Sequence, residues 1–209
     1  MSDPRPDLPD YVDTPAGIVS AGGVQYHTTE RLLREFAGPV LDQTSVGALV
    51  RGADAWAEAP RSLAAVALLA VLPLLSPAGA VGVALAVWSA VALVGPGAAT
   101  PRAVPVLRVL GSAGVQGLLF ALGLSALALV GAMPAVWTGL AGFVLLRVGI
   151  VGRLLKPALA PVLDRLYALP PADQTLRSLV VRTAIREGVS LPALADVEAS
   201  VRAFWRRDG

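Results

Sequence analysis

Ser62-Leu-Ala-Ala-Val-Ala-Leu-Leu-Ala-Val-Leu-Pro-Leu-Leu-Ser76 opens a stretch without an ionisable side chain that runs on to Pro101. After Arg102 and Arg108 a second uncharged run extends from Val109 to Leu146, and no acidic residue occurs between Glu58 and Asp164. Each run is roughly twice the ~20 apolar residues that carry a helix across ~30 Å of hydrocarbon. Each is interrupted near its middle by turn formers, Ser76-Pro77-Ala78-Gly79 in the first and Gly131-Ala132-Met133-Pro134 in the second.

This pattern predicts an all-α integral membrane protein with four transmembrane helices, arranged as two helical hairpins, and amphipathic cytoplasmic helices before and after them. A soluble helix has to show water a polar face. The segment Val81 to Val94 has none, and the whole chain is 55% hydrophobic with a mean hydropathy of +0.66. The expected spans run from Pro60 to Leu75, Ala78 to Val94, Val106 or Val109 to Gly131, and Pro134 to Gly152, the last extending toward Lys156; the first two are short, and crossing is favoured for them over a re-entrant hairpin, which would need protein around it. Residues 95–105 read as a loop, on account of their Gly and Pro content.

The cations set the orientation. Arg51 and Arg61 precede the first span, Arg102 and Arg108 separate the second from the third, and Arg147, Arg153 and Lys156 close the fourth. In a four-span layout all of them fall on one side, which by the positive-inside rule puts both termini in the cytoplasm. The expected location is therefore the bacterial cytoplasmic (inner) membrane. Met1 to Asp13 is acidic and proline-rich, the opposite of a cleaved signal peptide, so the first span is expected to serve as the insertion signal.

Four regions follow from this layout. Residues 1–16 form a disordered or extended tail, residues 17–59 an N-terminal amphipathic helical region, residues 60–156 the four-span domain, and residues 157–209 a C-terminal cytoplasmic helical hairpin. In the second region the residues around Ala21-Gly22-Gly23 read as a small hairpin or a loop. A helix capped by Thr28 or Thr29 buries Leu32, Leu33, Phe36, Val40 and Leu41, and Gly38-Pro39 is expected to break it. A further weakly amphipathic segment spans Gln43 to Glu58, with Trp56 as an interfacial anchor. In the last region a short helix from Pro157 to Leu169 lies along the interface and ends at Pro170-Pro171. A helix from Asp173 to Glu187 presents Leu176, Leu179, Val180 and Ala184 on one face and stops at Gly188. A final helix from Ser190 or Leu191 carries Leu194, Val197, Val201 and Phe204. The closing Trp205-Arg206-Arg207 reads as a lipid-headgroup contact or a polar end.

Several chemistries are excluded by residue type. With no cysteine there is no disulfide, thiolate zinc site, cysteine-held iron–sulfur cluster or covalent c-type haem within the chain. The one histidine, His27, lies outside the spans and reads as an ordinary surface or interfacial residue. No carboxylate lies in the spans to relay a proton or bind sodium, as coupled transport usually requires. No lysine sits in mid-span for a Schiff base. No phosphate-binding loop occurs, and a net charge of +2 gives no footprint for nucleic acid. Catalytic residues, cofactors and metals are therefore not expected; an enzyme would have to draw on Asp42, Asp54, Glu58 or Asp164 at the rim.

What the spans do contain is small residues at regular spacing. Ala113, Gly117, Ala121 and Ser125 recur every four residues in span three, and Gly82, Ala86 and Ala90 in span two. Such stripes let helix backbones approach closely where lipid supplies no hydrophobic drive. They are the expected helix-packing faces. The polar intramembrane residues are Gln116, placed to hydrogen-bond between helices, and Arg147, about two thirds of the way along span four, placed to snorkel to the headgroups or to meet a carboxylate or lipid phosphate. The function these features predict is a non-catalytic membrane protein, an accessory, scaffold or assembly subunit of a larger membrane complex. Its expected partners are membrane lipids and other membrane subunits or further copies of itself. The alternative is a small oligomeric channel or transporter with an uncharged pathway lined by Gly, Ser, Thr138 and Gln116.

Overall fold

A computed structural model describes residues 10–191, 196, 198–201 and 203. The chain is mostly helical, with one small antiparallel hairpin, and divides into two compact units. One is built from Met1–Asp54, Pro96–Pro101 and Tyr167–Gly209, the other from Ala55–Gly95 and Arg102–Leu166.

The first unit starts with strands β1 (Tyr11–Thr14) and β2 (Gly17–Ser20), paired from Tyr11 opposite Ser20 to Thr14 opposite Gly17. Residues 10–16 thus depart from the solvated tail expected there. That hairpin turns at Pro15-Ala16, and a second reversal falls at Ala21-Gly22-Gly23, where the sequence suggested one, with Val19 bridged to Gln25. After Gly22-Gly23 the chain comes back along β2, where Tyr26 N–H donates to the Ile18 carbonyl at 2.8 Å. Gly17 sits at φ 118°, and a β-carbon there would run into the Tyr26 carbonyl oxygen, so this position accepts only glycine.

Helix α1 (Glu30–Leu41) is capped by Thr29, whose hydroxyl accepts from Leu32 N–H, and buries Leu33, Phe36, Ala37 and Val40. The break expected at Gly38-Pro39 does not occur. Proline deprives the carbonyl four residues back of its donor; here that residue is Glu35, which is exposed to water. Helix α2 (Val46–Val71) runs without interruption through Pro60, joining the segment expected to lie on the surface to the one expected to span.

Helix α3 (Pro77–Ala98) begins at Pro77 because Ser76 caps it, accepting from Gly79 N–H at 3.2 Å. The first turn therefore falls at residues 72–76, a few residues before its expected place, and the helix runs on into the expected 95–105 loop. A short 3-10 turn (Pro101–Ala103) leads into α4 (Val104–Gly111). Helix α5 (Ala113–Leu129) follows Ser112, whose hydroxyl caps Val115 N–H, and helix α6 is Met133–Arg147. The turn between α5 and α6 lies where the sequence placed it, with Gly131 at φ 76°. Helix α7 (Ile150–Leu166) passes through Pro157 and Pro161, so no new helix starts at Pro157.

Two expected spans are bent. The segment Pro101–Gly111 meets α5 at 58°, and α6 meets α7 at 63°. Among the described residues α3 alone is long and apolar enough to cross a membrane as one helix; up to three spans result if each bent pair is one. The core of this unit is Ala64, Ala65, Leu68, Leu72, Ala80, Ala84, Trp88, Phe120, Leu127 and Leu146. Within it the rings of Phe120 and Phe143 pack with centroids 4.3 Å apart.

Helix α8 (Pro171–Glu187) returns to the first unit. It buries Leu176, Leu179, Val180 and Ala184 as its spacing implied, and ends at Gly188 with φ 68°. The helix expected after Ser190 falls largely outside the described residues, as do Leu194, Val197, Phe204, Trp205-Arg206-Arg207 and residues 1–9; positions 196, 198–201 and 203 are helical.

Candidate functional site

In the first unit most of the buried polar side chains belong to α8, with Ser20 and Thr28 also buried. The Asp173 carboxylate is 1% exposed. It accepts from His27 N–H at 3.2 Å, Thr28 N–H at 3.0 Å and the Thr28 hydroxyl at 2.7 Å, with His27 Nδ1 3.1 Å away. His27 is thus a partner of a buried carboxylate and not the ordinary surface histidine expected. Removing such a charge from water is unfavourable unless hydrogen bonds replace the lost hydration, and these four groups do so. Tyr26, fully buried, donates to Asp54 at 2.9 Å. Burial, then the Asp54 charge and hydrogen bond, push its hydroxyl above the ordinary tyrosine value. On the exposed side, Arg34 and Tyr11 both bond Glu30 and hold its carboxyl below the usual range.

Also in this unit, α8 closes the end of α3. Ser178 donates to the Pro96 carbonyl at 2.8 Å, and the Arg182 guanidinium to Ala98 at 2.7 Å and Gly97 at 2.9 Å. Helix C-termini leave carbonyls without donors and carry partial negative charge; a forked cation answers both. No local pattern in the sequence marks Arg182 as a cap.

The second unit holds the residues singled out in the spans. Gln116 is 4% exposed and donates to the Leu110 carbonyl at 2.7 Å. Its partner lies across the break between α4 and α5, where the bend takes Leu110 out of a regular helical ladder. Gln116 therefore bridges α4 and α5 and stabilises the bend between them. Arg147 is the last residue of α6 and is exposed, with Gly149 at φ 80° two residues on. It stands at a helix end and not partway along a straight span, and its charge there opposes the negative end of the helix dipole. Arg61, Gln116 and Arg147 line one narrow cleft together with Ser62, Ala65, Phe143 and Leu146.

The small-residue stripes face outward. Gly82, Ala86 and Ala90 are exposed on α3, whose buried side is Ala80, Ala84 and Trp88. Ala113, Ala121 and Ser125 are exposed on α5, and a β-carbon on Gly117 or Gly82 would meet nothing within 4 Å. Close approach inside the unit uses other glycines, which spacing alone did not identify. A β-carbon on Gly123 would lie 2.6 Å from Leu69, one on Gly139 2.5 Å from Leu124, and one on Gly142 2.5 Å from Leu68. Large apolar side chains are exposed around them, with Val94 61%, Leu118 61%, Leu122 62% and Trp137 67% exposed.

Charge in this unit is one-sided. Arg61, Arg102, Arg108, Arg147, Arg153, Lys156 and Arg165 stand against Glu58 and Asp164, and none of them lies between Ser62 and Pro101 or between Val109 and Leu146. Among the described residues no group of three or more His, Cys, Asp or Glu side chains is placed to hold a metal ion. No protein-family model, no curated protein and no solved structure matches the chain.

Proposed function

We propose that this chain is a non-catalytic integral membrane protein of the bacterial cytoplasmic membrane. Its two hairpins, α2–α3 and α5–α6, supply four crossings, and both termini are cytoplasmic. It acts as an accessory, scaffold or assembly subunit that binds neighbouring membrane helices. The observation that carries this reading is the outward direction of the two small-residue stripes. Smooth Gly/Ala faces are the surfaces on which membrane helices associate, and here no helix of the same unit occupies them. The exposed Leu, Val and Trp side chains around them suit lipid, and the confinement of the cations to the sequence outside the two uncharged runs suits the positive-inside arrangement. The crossings are short: α6, with 15 residues, rises about 22 Å, so local bilayer thinning would accompany it.

The channel alternative has less support. The interior of the second unit is filled by Leu68, Leu72, Trp88 and Phe120. Thr138 and Gln116 spend their donors on backbone carbonyls, so a pathway would have to run between copies. The test is extraction into nanodiscs followed by mass spectrometry of the intact assembly. A stoichiometric membrane-protein partner, or a homo-oligomer lost on Gly117→Leu, is the expected result. A monomer without partners, or a homo-oligomer that makes liposomes leak, would overturn the reading.

A further inference from the structure

We infer that α4 and α7 lie in the headgroup layer of the cytoplasmic leaflet, with their exposed apolar faces on acyl chains and their cations on anionic phospholipid. The inference rests on the membrane reading above and adds to it an interfacial position for two helices and a lipid class.

Both helices leave the hairpin obliquely. The segment ending in α4 meets α5 at 58°, and α7 departs from α6 at 63°. The two bends fall at the same end of the hairpin. A β-carbon on Gly111 would lie 3.4 Å from the Ser62 hydroxyl, and one on Gly149 3.9 Å from the Arg61 guanidinium. With α6 upright in the bilayer, the 17 residues of α7 advance about 12 Å along the membrane normal and about 23 Å sideways. A crossing has to cover ~30 Å of hydrocarbon, whereas the interfacial layer on each side is only roughly 5–8 Å deep. Helix α7 is thus turned to run along that layer and not through the bilayer.

Its side chains suit that position. Gly152 is buried, and Leu155 and Leu159 pack on the core of the unit. A second apolar stripe, Ile150, Leu154, Ala158 and Pro161, recurs at helical steps on the open side, with Leu154 72% exposed. Arg153 and Lys156, both exposed, border it. One apolar face serves the helix's own unit; a further one flanked by cations is the composition of a helix at a membrane surface. Helix α4 repeats the plan, with Leu107 buried and Val106 and Val109 exposed beside Arg102 and Arg108. No ion pair engages these four cations among the described residues. Long cationic side chains reach from an apolar stem to headgroups, and an anionic surface attracts them. A protein partner would need carboxylates in register with cations spread over two helices, whereas lipids rearrange laterally to meet them. The carboxylate on α7, Asp164, stands beside Arg165 in the last turn, so the net positive charge stays near the bend, at the edge of the hydrocarbon.

The chain has no cysteine, so a nitroxide label attaches only where one is introduced. The full-length variants Ile150→Cys, Leu154→Cys, Ala158→Cys and Val109→Cys are labelled in liposomes of equal parts phosphatidylglycerol and phosphatidylcholine. Each label should be more accessible to oxygen than to a water-soluble nickel chelate, and the depths at 150 and 158 should differ by about 5 Å. A difference of about 12 Å, the full rise of eight helical residues, would overturn the proposal by making α7 a span. Labels open to the chelate, or shielded from both reagents, would overturn it in favour of water or of a protein cover. Replacing both cations of α7, Arg153→Gln with Lys156→Gln, should lower the preference for spin-labelled phosphatidylglycerol over phosphatidylcholine by about twofold or more. Salt at about 1 M should do the same to wild type, with no variant needed; a preference unmoved by either change would overturn the lipid class. Leu118→Cys, on the open side of α5, checks the membrane reading separately. A label there in water would remove that reading itself, whereas one in lipid with α7 in water would remove only this inference.

Discussion

Arg182 holds the Ala98 carbonyl at 2.7 Å, and so the last turn of α3 is completed by a side chain 84 residues further along the chain. No backbone donor is in place for that carbonyl, which makes the guanidinium part of the helix and not an ornament on it.

Arg182→Ala should therefore destabilise the protein by about 1.5–3 kcal/mol, the range for a hydrogen bond to a charged group. Arg182→Lys should fall between, because an ammonium cannot fork across the Gly97 and Ala98 carbonyls. Thermal melting in detergent, followed by tryptophan fluorescence, measures both. Equal melting of wild type and the alanine variant would show that water serves these carbonyls equally well.

Asp173→Asn keeps the shape of the side chain but turns an amide N–H₂ toward donors at His27 and Thr28. Breaking a buried, hydrogen-bonded charge site in this way is expected to cost about 3 kcal/mol or more. His27→Ala, which leaves both Thr28 bonds intact, should cost less. Urea titration of the two variants under identical detergent conditions gives the comparison, and the opposite order would refute the hub described for Asp173.

Tyr26 predicts an alkaline limit. Its hydroxyl is raised by burial and by Asp54 above the ordinary 10.0. The unfolded chain therefore loses this proton before the folded one does. The stabilisation is complete below pH 10.0 and lost as pH rises beyond it toward the folded value. Tyr26→Phe should melt lower than wild type at neutral pH, having lost the Asp54 bond, and should show a shallower decline above pH 10.0. A parallel decline in both proteins would assign the alkaline loss to other groups.

Two glycine substitutions separate packing within the chain from packing between chains. Gly139→Val would press on Leu124 and Leu72 and is expected to cost about 1–3 kcal/mol of stability through overpacking. Gly117→Leu meets open space and should leave monomer stability unchanged while altering assembly mass. Unchanged mass in the second variant would remove the stripe as an interface.

Burial on α1 and α8 was legible because both are one-sided. Leu33, Phe36 and Val40, and then Leu176, Leu179 and Val180, recur at helical steps, and Thr29 and Gly188 mark ends whose local chemistry is self-contained. The apolar block was legible as a block only. Helices α5 and α6 are greasy on every side, so their sequence does not encode which way each is rotated. That is why regular spacing selected Ala113, Gly117, Ala121 and Ser125, while close contact within the chain fell to Gly123, Gly139 and Gly142. Hydropathy counts residues and is blind to direction, so it missed the bends at Ser112 and Gly149. The remaining site residues pair across distances no local pattern reaches, such as the 146 positions between His27 and Asp173.

The cap on α3 also has a place in time. The carbonyls of Gly97 and Ala98 leave the ribosome long before Arg182 is translated, 84 residues after Ala98. At about 5–20 residues per second the interval is roughly 4–17 s. During it the carbonyl end of α3 lacks its side-chain donor and is served by water. Completion of that helix is accordingly a late event in biogenesis, and chains truncated before Arg182 should be degraded faster than the full chain.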